Sequence, residues 1–350
     1  MTSRATSPAL YGGLLALLSA LLFGLSAPLI QRVGHGVGPF TTAALLYGGA
    51  ALVSVLLRRG EWREARLRLG DLRVLVLMAL TGAVLGPVAL AWGLQRTSGA
   101  SASLMLTLEA VFTAVLAWRW YGESMDRRVL AALLLLLAGA VLLVLEQGLG
   151  GQARALGLAA VAMATVAWGL DNTLSRALAD RDPAQVVLAK SALGATATAL
   201  LALLAGEHPP GWPAAMALLV IGATGYGGSL RLYLLAQRAL GVARTGSVFA
   251  FAPFIGALGA LVMGERSSGV GLWAAGALML TGVILHLSES HEHEHRHEAM
   301  AHEHAHTHDD GHHDHVHAPM PPGPHSHWHR HPALHHRHPH APDTHHTHRH

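Results

Sequence analysis

The sequence predicts an all-α integral membrane protein: ten transmembrane helices arranged as two inverted five-helix repeats, followed by a disordered His-rich tail. Three observations carry that prediction. Apolar residues make up 51% of the 350-residue chain and charged residues only 13%, although only 11 of the last 60 residues are apolar, so the preceding part exceeds the usual soluble range. The second half of that part repeats the first at an offset near 142 to 145 residues. The tail, in turn, holds 24 of the 27 histidines. Cysteine is absent, which excludes disulfide scaffolds, cysteine nucleophiles and thiolate metal sites. The basic balance, 24 Lys+Arg against 21 Asp+Glu, reads as membrane topology, and no nucleic-acid partner is implied.

A bilayer core about 30 Å thick needs about 20 apolar residues in a helix, because lipid offers the backbone no hydrogen-bond partner. Ten such stretches run near residues 10–30, 41–57, 72–94, 100–118, 129–145, 156–178, 183–204, 214–236, 245–263 and 270–286. The first is too long for a signal-peptide core and is read as a retained helix. Positive segments resist translocation. With the N-terminus inside, fourteen Arg fall in inner connections before the tail and four, Arg32, Arg96, Arg154 and Arg266, in outer ones. The expected organisation is a cytoplasmic N-terminus (1–8), a first repeat (9–147), a second repeat (153–288) and a cytoplasmic tail (289–350). The multi-pass chain is expected in a bacterial-type inner (plasma) membrane.

The repeat rests on particular residues. Phe23-Gly24-Leu25 matches Trp168-Gly169-Leu170, and Gln95-Arg96, Gly99 and Gly122-Glu123 meet Gln237-Arg238, Gly241 and Gly264-Glu265. Each copy has five helices, an odd number, so the second enters the membrane from the opposite face; inverted repeats of this kind place a substrate between the halves near the midplane. The stretches LQRTSGASASLMLTLEAVFTAVLAWRWYGES and AQRALGVARTGSVFAFAPFIGALGALVMGERSS resemble the EamA-type ten-helix members of the drug/metabolite transporter superfamily. The resemblance covers about residues 9 to 288. It implies solute transport through a central cavity and leaves the substrate open. One departure stands out: the first copy has Glu109-Ala110 where the pattern has Glu-Pro, while the second keeps Pro253, so a bend in the fourth helix is not expected on the strength of a proline.

Within the spans, Glu109 is the sharpest signal. A carboxylate at that depth costs roughly 2.5 to 3.5 kcal/mol on insertion scales, so it should face a cavity or be protonated. Desolvation favours the neutral form, making Glu109 a candidate proton carrier; the alternative is a neutral interhelical hydrogen bond. Asp171, Lys190 and Arg231 fall at one depth and form a candidate inner gate or structural ion pair; Lys190 is the chain's single lysine. Trp92, Tyr233, Phe249 and Phe251 are candidate cavity walls, equally readable as lipid-facing aromatics, and Met105 lies one turn before Glu109. Pro28, Pro87 and Pro253 each remove an intrahelical hydrogen bond and are expected to break or kink their helices. Gly82 and Gly86, and Gly222, Gly225, Gly227 and Gly228, give flat faces for close packing.

From His291 the tail alternates His with acidic or small residues and then turns Pro-rich, a composition expected to be disordered. Neutral imidazole suits zinc, nickel and cobalt, and His291, His293, His295, His297, His302, His304, His306, His308, His312, His313, His315 and His317 are the candidate ligands. No cofactor is required by the sequence. Residues 9 to 285 offer only His35 and His208 and no thiolate, a poor path for a transition metal, so a small organic solute is favoured. Metal efflux with the tail as collector, and a non-transporting metal sensor or store, are the alternatives. No nucleophile–base pair, phosphate loop or catalytic metal motif points to an enzyme. The lipid bilayer and a solute are the implied partners, and oligomeric state is not encoded in any recognisable pattern.

Overall fold

A computed structural model describes residues 8–57, 66–122, 125, 127–149, 151–178, 181–240, 242–265 and 269–287, and four strands in the tail. Among the described residues, eight helical segments are long and apolar enough to cross a membrane, and shorter apolar helices lie at 252–262 and 270–286. Helix 1 is Pro8–Val33, helix 2 Pro39–Leu56, helix 3 Leu69–Leu94, helix 4 Gly99–Tyr121 and helix 5 Arg127–Leu149. Helix 6 is Gln152–Ser175, helix 7 Pro183–Leu204, helix 8 covers 212–240, helix 9 covers 242–262 with a turn at 250–251, and helix 10 is Val270–Leu287. Leu and Val point outwards along these helices, with Leu18, Leu52, Leu134, Val220 and Leu258 exposed, as the lipid-facing surface of a membrane bundle requires.

The two repeats are interlocked. Helix 1 packs on helices 8 and 9, and its counterpart helix 6 packs on helices 3 and 4, while helix 2 pairs with helix 7 and helix 5 with helix 10. Each repeat thus lends its first helix to the other. Small and polar residues let these helices approach. Gly24 lies against the backbone of Ala252, and Ser19 and Ser229 exchange hydroxyl-to-carbonyl bonds of 2.8 and 2.9 Å, satisfying polar groups that lipid would leave bare.

The same distortion recurs in both copies. Helix 3 is π-helical over Ala79–Leu85 and helix 8 over Gly222–Gly228. In helix 3 the cause is local: Gly86 N–H reaches back five residues to the Thr81 carbonyl, and Pro87 has no N–H to offer the next one. Pro28 behaves otherwise. It lies inside a helix that is continuous over Pro8–Val33, its ring against helix 9 near Gly259.

Four short extended segments are described within the tail. β1 (Glu292–His297) pairs antiparallel with β4 (Leu334–Pro339), and β2 (Met300–His306) with β3 (His325–His331). Strict alternation suits a ladder, whose residues change face at every step, and the intervening 307–324, with four prolines, lies outside the described residues, as do His291, His308, His312, His313, His315 and His317.

Candidate functional site: a polar cluster at a broken fourth helix

Helix 4 breaks at Leu106 and Thr107 although the proline is missing. Bonding tightens there to a three-residue step: Thr107 N–H donates to the Leu104 carbonyl at 3.0 Å, and Glu109 N–H to Leu106 at 3.1 Å. The Thr107 hydroxyl also donates to Leu104 O at 2.8 Å, the back-bonding by which threonine bends a helix. In the second repeat the break at 250–251 comes with Pro253, which takes the early position of the following half-helix. Hydroxyl and proline produce the same interruption by different means. Discontinuous helices near the midplane are where inverted-repeat transporters hold solute and ions.

The break puts Glu109 in the first turn of the second half of helix 4, where free N–H groups favour a carboxylate. Glu109 Oε1 accepts from Asn172 Nδ2 of helix 6 at 2.6 Å. Glu109 is half-buried and Asn172 exposed. One residue back along helix 6, Asp171 pairs with Lys190 of helix 7. Both are largely buried, with side-chain exposures of 8% and 14%, and Asp171 Oδ1 has no hydrogen-bond partner among the described residues. Helix 3 approaches this pair through Gly82, where any Cβ would collide with the Asp171 carboxyl group.

Gly82 contributes its carbonyl as well. That oxygen has lost its helical donors, because Gly86 N–H serves Thr81 and Pro87 has no N–H. It accepts instead from Tyr47 Oη of helix 2 and from Trp168 Nε1 of helix 6 at 3.0 Å. From there a run of rings crosses the bundle. Phe23 lies 6.4 Å from Trp168, 6.0 Å from Tyr226 and 5.4 Å from Phe249 between ring centroids, Tyr47 lies 5.5 Å from Tyr226, and Tyr233 lies 5.0 Å from Phe249. Edge-on geometry is the favoured arrangement for such pairs.

The sequence candidates divide accordingly. Asp171 and Lys190 are joined, Glu109 lies beside them through Asn172, and Tyr233 and Phe249 belong to the aromatic run. Met105 is buried in the core just before the break. Arg231 does not join the charged pair: it is exposed and donates to Leu57 O at the end of helix 2 at 3.0 Å, since a helix C-terminus offers free carbonyls. The Trp92 ring lies under the Arg96 guanidinium at 3.6 Å. Phe251, 37% exposed, leans on Phe254 on the other side of the second break. Sequence reasoning missed Phe23, Tyr47, Trp168, Tyr226 and Asn172. The repeat had signalled Phe23 and Trp168 as equivalent positions, but not that they meet.

A cavity of about 440 Å³ opens at the end of the bundle away from the N-terminus, lined by Gln31, Arg32, His35, Gln95, Thr97 and Glu265 among others. Glu265, of the Gly-Glu motif, accepts from Ala100 N–H at the start of helix 4 at 3.1 Å. Thr97 lines the cavity, and its Oγ1 is buried without a hydrogen-bond partner among the described residues.

Residues 10–145 match the EamA-like transporter family. An "Uncharacterized transporter" of Methanothermobacter thermautotrophicus is 26% identical over 296 residues, covering 79% of this chain and 86% of that protein. A solved structure described as "Crystal structure of protein" shares the fold at a TM-score of 0.57 with 22% identity, over 78% of this chain and 94% of its own. Over residues 10–145 this chain of membrane-spanning helices is thus similar to the EamA-like transporter family.

Proposed function

We propose that the protein moves a small organic metabolite or drug across the inner membrane by alternating access, with both termini cytoplasmic and Glu109 as the central polar contact. One observation carries this reading. The half-buried carboxylate sits at the break of a discontinuous helix and beside a buried ion pair, at the place where helix 6 of one repeat packs on helix 4 of the other. The Asp171–Lys190 pair is internally neutral, so Glu109 supplies the charge that a solute or a proton would meet. A carboxyl group that binds both in turn would couple their movements. The aromatic run from Trp168 to Tyr233 supplies apolar surface for the body of an organic solute. The test is untargeted metabolite and metal profiling of cells with and without the gene, repeated with residues 291–350 deleted, followed by uptake of the metabolite found in proteoliposomes. An organic change that persists without the tail and is lost in Glu109→Gln, with its pH dependence, is the expected result. Unchanged uptake and pH profile in Glu109→Gln removes the carboxylate from the mechanism.

A further inference from the structure

The two glutamines that line the 440 Å³ cavity each spend an amide N–H on the backbone. Gln31 Nε2 donates to Thr97 O at 2.8 Å, and Gln95 Nε2 donates to Val37 O at 2.7 Å. A nitrogen must face each of those carbonyls, so the other end of each amide is an acceptor, Oε1. Gln31 Oε1 and Glu265 Oε2 converge on Gly99 at the start of helix 4, where a Cβ would lie 2.6 and 3.0 Å from them. The Glu265 carboxylate accepts from Ala100 N–H, and the free N–H groups of that first turn balance its charge. The charge left over is that of Arg32. It is exposed, and among the described residues its guanidinium makes one long bond, to Met263 O at 3.4 Å, and pairs with no carboxylate. Thr97, 7% exposed, adds a buried hydroxyl without a partner among the described residues, and an unmet polar group of this kind is costly until something bonds it. Leu94 and Ala260 give the cavity an apolar wall. One cationic anchor, a row of oxygen acceptors and an apolar side are the parts of a site for a small polar solute.

We propose that this cavity binds a small organic acid that carries a hydroxyl or N–H donor beside its carboxylate. The Arg32 guanidinium pairs with the carboxylate through its planar set of N–H donors. Gln31 Oε1 and the Thr97 hydroxyl meet the neighbouring donor, and the apolar wall takes the carbon body. Glu265, of like charge, keeps the carboxylate end at Arg32 and away from helix 4. This names a solute class for the transport reading and rests on that reading only for passage across the membrane; binding at the cavity stands by itself.

Saturation-transfer NMR on the full-length protein in lipid nanodiscs compares four probes with one carbon skeleton. They are hydroxyisocaproate, its amino counterpart leucine, isocaproate, which lacks the donor, and hydroxyisocaproamide, which lacks the charge. The better of the first two should bind saturably and at least about tenfold more tightly than isocaproate or the amide, and which of them is the better tells a hydroxyl donor from an ammonium. Arg32→Gln, at an exposed position that the fold does not need, should weaken that acid at least about tenfold and leave the amide within about twofold. Gln31→Met and Thr97→Val should narrow the gap between the donor-bearing acid and isocaproate. Equal affinity for acid and amide, undiminished binding in Arg32→Gln, or no saturable binding of any probe would each overturn the proposal. Binding as expected without uptake of the bound acid into proteoliposomes would uphold the site and count against the transport reading alone.

Discussion

Phe23 and Trp168 hold the same position in the two repeats, and their rings meet edge to face at 6.4 Å. The contact joins side chains of the two exchanged helices. Trp168 does a second job that Phe23 cannot: its indole N–H serves the Gly82 carbonyl that Pro87 leaves without a helical donor. Tyr47 serves the same oxygen.

That shared acceptor makes a non-additive prediction. Trp168→Phe or Tyr47→Phe alone leaves Gly82 one donor and should cost about 1 kcal/mol each. The double variant orphans a buried carbonyl and should cost more than the sum, by roughly 1–3 kcal/mol. Reversible unfolding in mixed micelles measures all three; simple additivity would show that the oxygen finds another donor.

The Asp171–Lys190 pair is the second test. Lys190→Met strands a buried carboxylate and should destabilise by about 3–5 kcal/mol, whereas Asp171→Asn/Lys190→Met removes both charges and should regain most of that loss. The reversal Asp171→Lys/Lys190→Asp should fold better than either single reversal. If Lys190→Met is no worse than the double variant, the carboxylate is not held ionised by this lysine.

Several of these features were legible in the sequence and several were not, for physical reasons. The repeat, the ten apolar stretches and the polar positions Glu109, Asp171 and Lys190 are local or periodic signals, which a single chain displays. Arg231 sits at a plausible depth, but depth is one coordinate: its direction around helix 8 sends it to Leu57. Trp92 likewise points to Arg96, four residues on in its own sequence. The fourth helix shows the limit of motif reading. A proline was sought as the cause of a bend, and Thr107, bonding back to Leu104, supplied it without one. Tyr47 was missed, and Gly82, expected only as a close-packing position, was not foreseen as an acceptor, because their partnership depends on a π-helical step that frees a carbonyl.

The last prediction concerns how the two faces of the bundle are tied. On the face away from the N-terminus, Glu207, which precedes helix 8, accepts from Phe40 N–H at 3.2 Å and from Thr41 N–H and Oγ1 at 2.7 Å each, at the start of helix 2. On the tail-side face, Asp71 at the start of helix 3 pairs with Arg181 ahead of helix 7 through bonds of 2.7 and 3.1 Å, and Gln185 accepts from Leu67 N–H at 3.2 Å. In both places the start of helix 2 or 7 is fastened to the segment entering helix 8 or 3 of the other repeat. Alternating access requires these ties to loosen one at a time, so weakening one should shift the population towards opening on its own side and away from the other. The absence of cysteine permits single reporters: Thr97→Cys in the 440 Å³ cavity and Asn172→Cys beside Glu109. With impermeant thiol reagents, Asp71→Asn should speed labelling of Asn172→Cys from the tail side and slow that of Thr97→Cys from the opposite side. Glu207→Gln should do the reverse. A loss of about 1 kcal/mol at either tie corresponds to roughly a fivefold change in population, well within reach of a labelling rate. Variants that speed both reporters together would mean that the ties hold the bundle as a whole, and the two faces would then not be coupled through them.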